Sequence, residues 1–395
     1  MNWKDERNLT MLTHYYEFTM SNGYFINGLK DKVAVFDMFF RSNPNKSGYS
    51  IAAGLDQVIQ YIKNLNFTYE DVEYLRSLHI FSEEFLHYLS GFHFSGSIYA
   101  IPEGTIVFPK EPLLKIVAPI MEAQLVETAI LNIINHQSLI ATKAARVVYA
   151  ADGDGIMEFG LRRAQGPDAG IYGARAAVIA GCVGTSNVLC GQLFDVPVRG
   201  THAHSWVMSF PDEITAFRKY AEMFPSSCLL LVDTYDTLRS GVPNAITVFK
   251  ELRERGYEPK GIRLDSGDLA YLSREARKML DEAGWTECQI SVSNSLDEFL
   301  VRDLLRQGAC INSFGIGERL ITAKSAPVFG GVYKLVAIDG KDGEIIPKIK
   351  ISENVGKITT PHYKKIYRFI GNDTGKAIAD YLAIYDETID DSRDM

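Results

Sequence analysis

The 395-residue sequence has no CxxC pair, and its five cysteines (Cys182, Cys190, Cys228, Cys288 and Cys310) are odd in number and widely spaced. That argues against a disulfide framework and against a structural zinc site, and it fits buried thiols in a reducing compartment. No apolar stretch reaches membrane-spanning length. The N-terminal segment MNWKDERNLTML is charged and lacks the apolar run of a secretory leader. A soluble, cytoplasmic protein is therefore expected, with no membrane partner. Positive charge is in deficit: 41 basic against 49 acidic side chains leave a net charge of −8. Non-specific nucleic-acid binding needs cations to displace phosphate counterions, so nucleic acid is not an expected partner. A local basic pocket for a small phosphorylated ligand is still allowed. Two loops are also missing, GxGxxG and GxxxxGK[ST], which an open nucleotide-binding sheet would usually show.

What is present divides into three parts. Residues 1–125 mix short patterns. VAVFDMFF reads as a strand, GLDQVIQYIKNL as an amphipathic helix, and SGSIYAIPEGTIVFPKEPLLKIVAPI as two or three strands broken by Pro and Gly turns. The Pro-free QLVETAILNIINHQSLIATKAARVVYAA reads as a long helix leaving this region. Residues 126–330 are regular. Short apolar runs (GIMEFG, VPVRG, CLLLV, GIRL, QISVS, CINSFGIG) each end in polar residues, near 161, 201, 233, 265, 294 and 318. Helix candidates lie between them: PDEITAFRKYAEMF, PNAITVFKELRERG, GDLAYLSREARKML and SLDEFLVRDLLRQG. Strand, polar cluster and helix repeated in this way is the pattern of parallel βα units. Functional-looking residues at nearly every strand exit favour a barrel over an open sheet. Residues 331–395 read as strands (GGVYKLVAI, IIPKIKIS, KKIYRFI) that return to the first region and complete its sheet.

The chemistry-bearing residues cluster at the strand exits. Arg162 and Arg163 offer guanidinium forks suited to carboxylate or phosphate, or they are a solvated pair. Phe159, just before them, either stacks on an aromatic ligand or packs in the core. His202 and His204 alternate in GTHAHSW, so a zinc site, a hydrogen-bonded structural histidine and a catalytic one all stay open; no third ligand motif accompanies them. Asp233, Asp236, Asp265 and Asp268 form two DxxD repeats after apolar strands. Carboxylates there hold cations, cap helices or pair with arginine. Asp236 and Asp268 read as helix caps. Asp233 and Asp265 read as site residues, suited with phosphates to Mg²⁺. Arg263 alternates with Asp265 and should point to the same side. The glycines of NSFGIGERLITAKSAPVFGG either cradle a phosphate with backbone amides or make ordinary turns.

Seven ordered segments carry a resemblance: LTHYYEFTMSNGYF, FDMFFR, EFGLRRAQGPDAG, GTHAHSWVMSF, LVDTYDT, IRLDSGDL and SFGIGERLITAKSAPVFGGVYKLV. Over essentially its whole length the chain resembles the nicotinate phosphoribosyltransferases. The resemblance implies an irregular α/β barrel, type II phosphoribosyltransferase-like, with an N-terminal α+β sandwich-like domain completed by the C-terminal strands. It implies a homodimer with shared active sites. It also implies an ATP-coupled transfer from phosphoribosyl pyrophosphate to nicotinate, giving nicotinate mononucleotide in NAD salvage, with Mg²⁺ on the departing diphosphate.

Residue by residue, the resemblance implies that His204 is phosphorylated by ATP. Thr201, Arg263 and Tyr16 contact nicotinate, with Tyr16 reaching across the dimer. Phe159 stacks on the pyridine ring, and Arg162 contacts the base or its phosphate-bearing partner. Asp233 and Asp265 form the acidic pair around ribose and magnesium, and Gly315 and Gly317 lie in the phosphate-binding loop. Nicotinamide phosphoribosyltransferases place an aspartate after a Gly-Thr pair; here Gly184-Thr185 is followed by Ser186, which can donate to a carboxylate. Quinolinate phosphoribosyltransferases are less similar. Two positions depart from the family pattern: His14 stands where relatives often have Asp, and Glu318 where others have Thr. Many relatives also run longer at the C-terminus. A non-catalytic binder of nicotinate or its nucleotide, and a metal-dependent barrel hydrolase, are the readings set against the enzyme.

Overall fold

A computed structural model describes residues 7–340 and 343–389. The first six residues of the charged N-terminal segment lie outside the described residues. Among the described residues no helix is long and apolar enough to cross a membrane. The described residues form two compact units, one within 140–327 and the other within 7–139 and 328–389. It passes from one to the other within the continuous helix Glu127–Ala150.

The Ile140–Pro327 unit holds six parallel strands in the spatial order Gly184–Thr185, Gly155–Glu158, Ser313–Ile316, Gln289–Ser293, Gly261–Leu264, Leu229–Leu231. Most of their residues are apolar, as suits parallel strands covered on both faces; Ile156, Leu230, Ile262, Ile290 and Phe314 are at most 1% exposed. The helices Glu213–Met223, Val242–Glu254, Leu269–Glu282 and Glu298–Arg306 coincide with the four helix candidates. Each of three begins on an aspartate that accepts backbone amides: Asp212 from Thr215 N at 2.9 Å, Asp268 from Tyr271 N at 3.0 Å, and Asp297 from Leu300 N at 3.0 Å. Asp236 accepts from Arg239 N at 2.9 Å. The capping reading of Asp236 and Asp268 is thus the observed one.

The segment VPVRG does not form a strand. Val198 makes a single bridge to Thr185, with Thr185 N donating to Pro197 O at 3.0 Å and Arg199 N to Thr185 O at 2.8 Å. Pro197 has no N–H, so a ladder cannot extend through it. A few residues on, the same segment reaches the opposite edge of the sheet, where Leu231 N donates to His202 Nε2 at 3.2 Å. No ladder joins the Gly184 and Leu229 strands among the described residues.

The other unit centres on a five-stranded sheet in the order Ile345–Pro347, Gly331–Asp339, Val33–Phe40, Leu114–Pro119, Ser97–Ala100, with every pairing antiparallel. Strand Gly331–Asp339 comes from the C-terminal part of the chain. The helices Tyr15–Ile26, Tyr69–Ser77 and Glu83–Ser90 enclose a second core around Phe18, Phe67, Phe85, Leu86 and Leu89. Strand Lys364–Ile370 pairs instead with Ala377–Ile384 as a separate hairpin. It is tied to the five-stranded sheet by a buried ion pair, Lys364 Nζ to Asp37 Oδ2 at 2.8 Å.

Within the first unit, Lys143 Nζ sits 2.6 Å from Glu298 Oε2 with both side chains buried, and Arg146 Nη2 lies 2.9 Å from Glu298 Oε1. Removing one partner of such a pair strands a charge in low dielectric. Lys143→Met is expected to lower unfolding stability by about 3 kcal/mol, read as a shifted urea midpoint. An unchanged midpoint would contradict the pairing.

Candidate active site

Four strand exits and the 198–204 segment surround a cleft of about 390 Å³ lined by Phe159, Arg162, Ser186, Thr201, His202, His204, Arg263 and Asp265, among others. That volume suits a small molecule. Arg263, at position three of its four-residue strand, organises the centre. Its Nε donates to Ser293 Oγ at 2.9 Å, Nη1 to Thr201 Oγ1 at 3.1 Å and Nη2 to Asp265 Oδ1 at 3.2 Å. The guanidinium carbon lies 5.7 Å from the centre of the Phe159 ring, a cation–π distance. Ser293 also donates to Asp265 Oδ1.

Asp233, just past strand Leu229–Leu231, is buried and fully engaged. Its Oδ1 lies 3.1 Å from His204 Nε2, and its Oδ2 accepts from Asp265 N at 2.7 Å and from Ser266 Oγ at 2.6 Å. An aspartate beside one ring nitrogen favours the tautomer with the proton there. Asp233 therefore leaves the Nδ1 of His204 with its lone pair, on a side chain that is 38% exposed. Asp265 gives Oδ1 to Arg263 and Ser293 and is half-exposed to the cleft.

His202 is the structural histidine of the pair. Its Nε2 accepts the Leu231 amide, and its ring meets Tyr220 edge-on at 4.6 Å. Burial, followed by the charges of Arg263 and His204, pushes its pKa down to about 4. His202 Nε2 is committed to the sheet edge and is not free to ligate a metal. Among the described residues no group of three or more His, Cys, Asp or Glu side chains is arranged to hold a metal ion.

The glycines of the last unit lie close to Phe159. Gly315 is inside strand Ser313–Ile316, between Met157 and Ser293. A β-carbon there would meet the Phe159 ring at 2.5 Å. Gly317 follows the strand and opens the short helix Glu318–Ile321; its β-carbon would lie 3.0 Å from Phe159 O. Glu318 is held by Lys324 at 2.8 Å and faces Arg163 at 3.9 Å. These cations, with Lys324 dominant, keep its pKa low. Tyr16 belongs to the other unit, on helix Tyr15–Ile26, where it is 42% exposed and stacks on His14 at 5.7 Å.

Phe159, Arg162, Ser186, Thr201, His204, Arg263 and Asp265 thus meet at one cleft, with Asp233 beneath it. Sequence reading missed Ser293, Ser266 and the buried Glu158. Ser293 ends an alternating strand, QISVS, whose two serines share a face; that was the available signal. Nothing local marks Ser266.

Because His202 is neutral in the fold but titrates near 6.5 when unfolded, the unfolded chain binds more protons between those values. Its contribution is present above about pH 6.5 and is lost as pH falls towards 4, about 3 kcal/mol in full. Urea midpoints followed over that range should fall more steeply for the wild type than for His202→Gln. Parallel curves would contradict a buried neutral imidazole.

Comparison with known proteins gives the same answer from both parts of the chain. The model of the nicotinate phosphoribosyltransferase N-terminal domain matches residues 11–135, and that of the nicotinate phosphoribosyltransferase family matches residues 155–368. The nicotinate phosphoribosyltransferase of Bacillus subtilis is 49% identical over 391 residues, 99% of this chain and 79% of the relative. That of Homo sapiens is 35% identical, covering 96% of this chain and 80% of the relative. The crystal structure of human nicotinic acid phosphoribosyltransferase superposes with a TM-score of 0.83 at 33% identity, covering 96% of this chain and 82% of that one. A nicotinate-nucleotide pyrophosphorylase from Pyrococcus furiosus shares the fold, with a TM-score of 0.75 at 22% identity over 98% of this chain and 87% of that one. With two family models and relatives of this identity spanning nearly all of it, the chain belongs to the nicotinate phosphoribosyltransferase family.

Proposed function

We infer that the chain catalyses phosphoribosyl transfer from phosphoribosyl pyrophosphate to nicotinate, the step that brings nicotinate into NAD biosynthesis. The observation that carries this reading is the Arg263 fork. One guanidinium binds Thr201, Ser293 and Asp265 beside an aromatic ring, in a cleft that also holds Ser186, Arg162 and His204. A flat aromatic acid fits that set: its ring lies on Phe159, and its carboxylate meets Arg263, Thr201 and Ser186. The pyridine nitrogen attacks the anomeric carbon of the sugar as the bond to diphosphate breaks. Little covalent chemistry is asked of the protein, so positioning and electrostatics carry the rate. Arg162 lies at the mouth, suited to a phosphate or the base.

Magnesium fits as a partner of the diphosphate rather than of a protein cage. Both oxygens of Asp233 are taken by protein donors, so Asp265 is the carboxylate able to face the ion. When bound, it supplies charge neutralisation for the leaving group. Asp233 instead orients His204. We extend the reading to ATP as co-substrate: the γ-phosphoryl group passes to Nδ1 of His204, ADP leaves, and Asp233 stabilises the imidazolium through Nε2. Hydrolysis of the phosphohistidine to phosphate would then couple ATP to product formation. Gly317, at the start of the Glu318–Ile321 helix, is the candidate for phosphate contact, and Gly315 is the space that seats Phe159. The reading further includes an irregular barrel in which the 198–204 segment bridges the two sheet edges, a sandwich-like arrangement of the other unit, and a homodimer in which exposed Tyr16 of one copy meets the cleft of the other.

Two measurements test this. With phosphoribosyl pyrophosphate, Mg²⁺ and ATP, nicotinate should give its mononucleotide, and nicotinamide should turn over at least about 100-fold less efficiently, as expected where a buried polar site is left mismatched. Turnover of nicotinamide alone would remove the assignment. His204→Ala should abolish the ATP stimulation and the phosphoryl-enzyme while sparing some ATP-independent transfer. ATPase activity undiminished in that variant would contradict the histidine's role.

A further inference from the structure

Behind the cleft lies a titratable group that the proposed mechanism does not use. Glu158 ends strand Gly155–Glu158, has no exposed surface, and directly precedes Phe159. One carboxylate oxygen accepts the backbone amide of Gly160. The other accepts the hydroxyl of Thr185 at 2.6 Å. Thr185 is itself fully buried, and its oxygen accepts Asn187 N at 3.0 Å. The Glu158 carbonyl accepts Ser186 N at 2.9 Å. Burial raises the carboxyl pKa, while the Thr185 and Gly160 donors pull it down.

These contacts have a common geometry. Gly160 is the residue after Phe159, and Thr185 is the residue before Ser186. Strand Gly184–Thr185 is only two residues long and pairs with Glu158 at its last position. Backbone pairing alone fixes so short a strand weakly. The carboxylate adds two further ties, one to each side of the cleft. A β-carbon at Gly160 would approach the same carboxylate oxygen to 2.7 Å and Ile321 to 2.5 Å, so the turn lies tightly against it. A group that accepts two donors and offers none suits this spot, which is why a carboxylate stands where burial disfavours one.

We propose that Glu158 is a positioning residue for the base-binding half of the cleft: by holding the Gly160 amide and the Thr185 hydroxyl on one carboxylate, it sets the spacing between the Phe159 ring and the Ser186 side chain. The inference rests on the nicotinate reading of that cleft. Asp233 and Asp265, assigned to the histidine and sugar-diphosphate side, are tied to other strands and have no contact with this clamp in the bonds described above. Loosening it therefore acts on one substrate only.

The test is steady-state kinetics of the full chain with each substrate varied in turn. Glu158→Ala leaves two buried donors unpaired and should raise the KM for nicotinate on the order of 10-fold, with the KM for phosphoribosyl pyrophosphate within about two-fold of wild type. Glu158→Gln should restore the nicotinate KM to within about three-fold, since the amide oxygen can take the Gly160 N–H and the amide nitrogen can donate to Thr185. Thr185→Val removes one tie without removing the carboxylate and should reproduce the selective rise at about half its logarithmic size. If Glu158→Ala does not fold, Thr185→Val decides. Equal changes in both KM values, or a lowered melting temperature with both unchanged, would overturn the inference. A wild-type chain that makes no nicotinate mononucleotide would instead overturn the functional reading on which it rests.

Discussion

A single buried carboxylate, Asp233, ties two other segments of the chain together at the end of the parallel sheet. It takes the imidazole of His204 from the 198–204 segment, and the amide of Asp265 and hydroxyl of Ser266 from the turn after strand Gly261–Leu264. An ionised carboxylate out of water is tolerable only when donors replace the lost hydration. The requirement runs in both directions. The donors must come close to satisfy the aspartate, and coming close fixes His204 and Asp265 relative to one another. The cleft is preorganised because its foundation cannot be left half-bonded.

Arg263 plays the complementary part from above. Its three bonds spend much of the guanidinium's donor capacity on Thr201, Ser293 and Asp265. That holds its plane beside the Phe159 ring rather than leaving it free to swing into solvent. An incoming carboxylate meets a cation already oriented, with less conformational freedom to surrender on binding.

Much of this was legible in the sequence where the signal is local. The four helices Glu213–Met223, Val242–Glu254, Leu269–Glu282 and Glu298–Arg306 announce themselves by apolar periodicity, Leu269–Glu282 also by its capping Asp268, and Asp233 and Asp265 by their place after apolar runs. Helix Tyr69–Ser77 was missed although Thr68 and Asp71 form a reciprocal capping box; its apolar face is narrow. Strand Gly184–Thr185 is too short for any period to show. VPVRG has the composition of a strand, but Pro197 removes the donor a ladder needs. The roles of Glu158 and Ser293 depend on Thr185 and Asp265, 27 and 28 residues away in the chain, and only the folded register brings them together.

Beneath the aromatic ring of the cleft lies main chain. Phe159 rests where Gly315 has no side chain, on peptide already pinned by ladders on both sides. A floor made of main chain has no rotamers: it cannot tip aside to admit a thicker guest, nor rise to grip a thinner one. The depth available above the ring is thus fixed by strand spacing, a length that sheet geometry holds nearly constant. Tuning of this cleft across related sequences should fall on its rim, while its base stays the same.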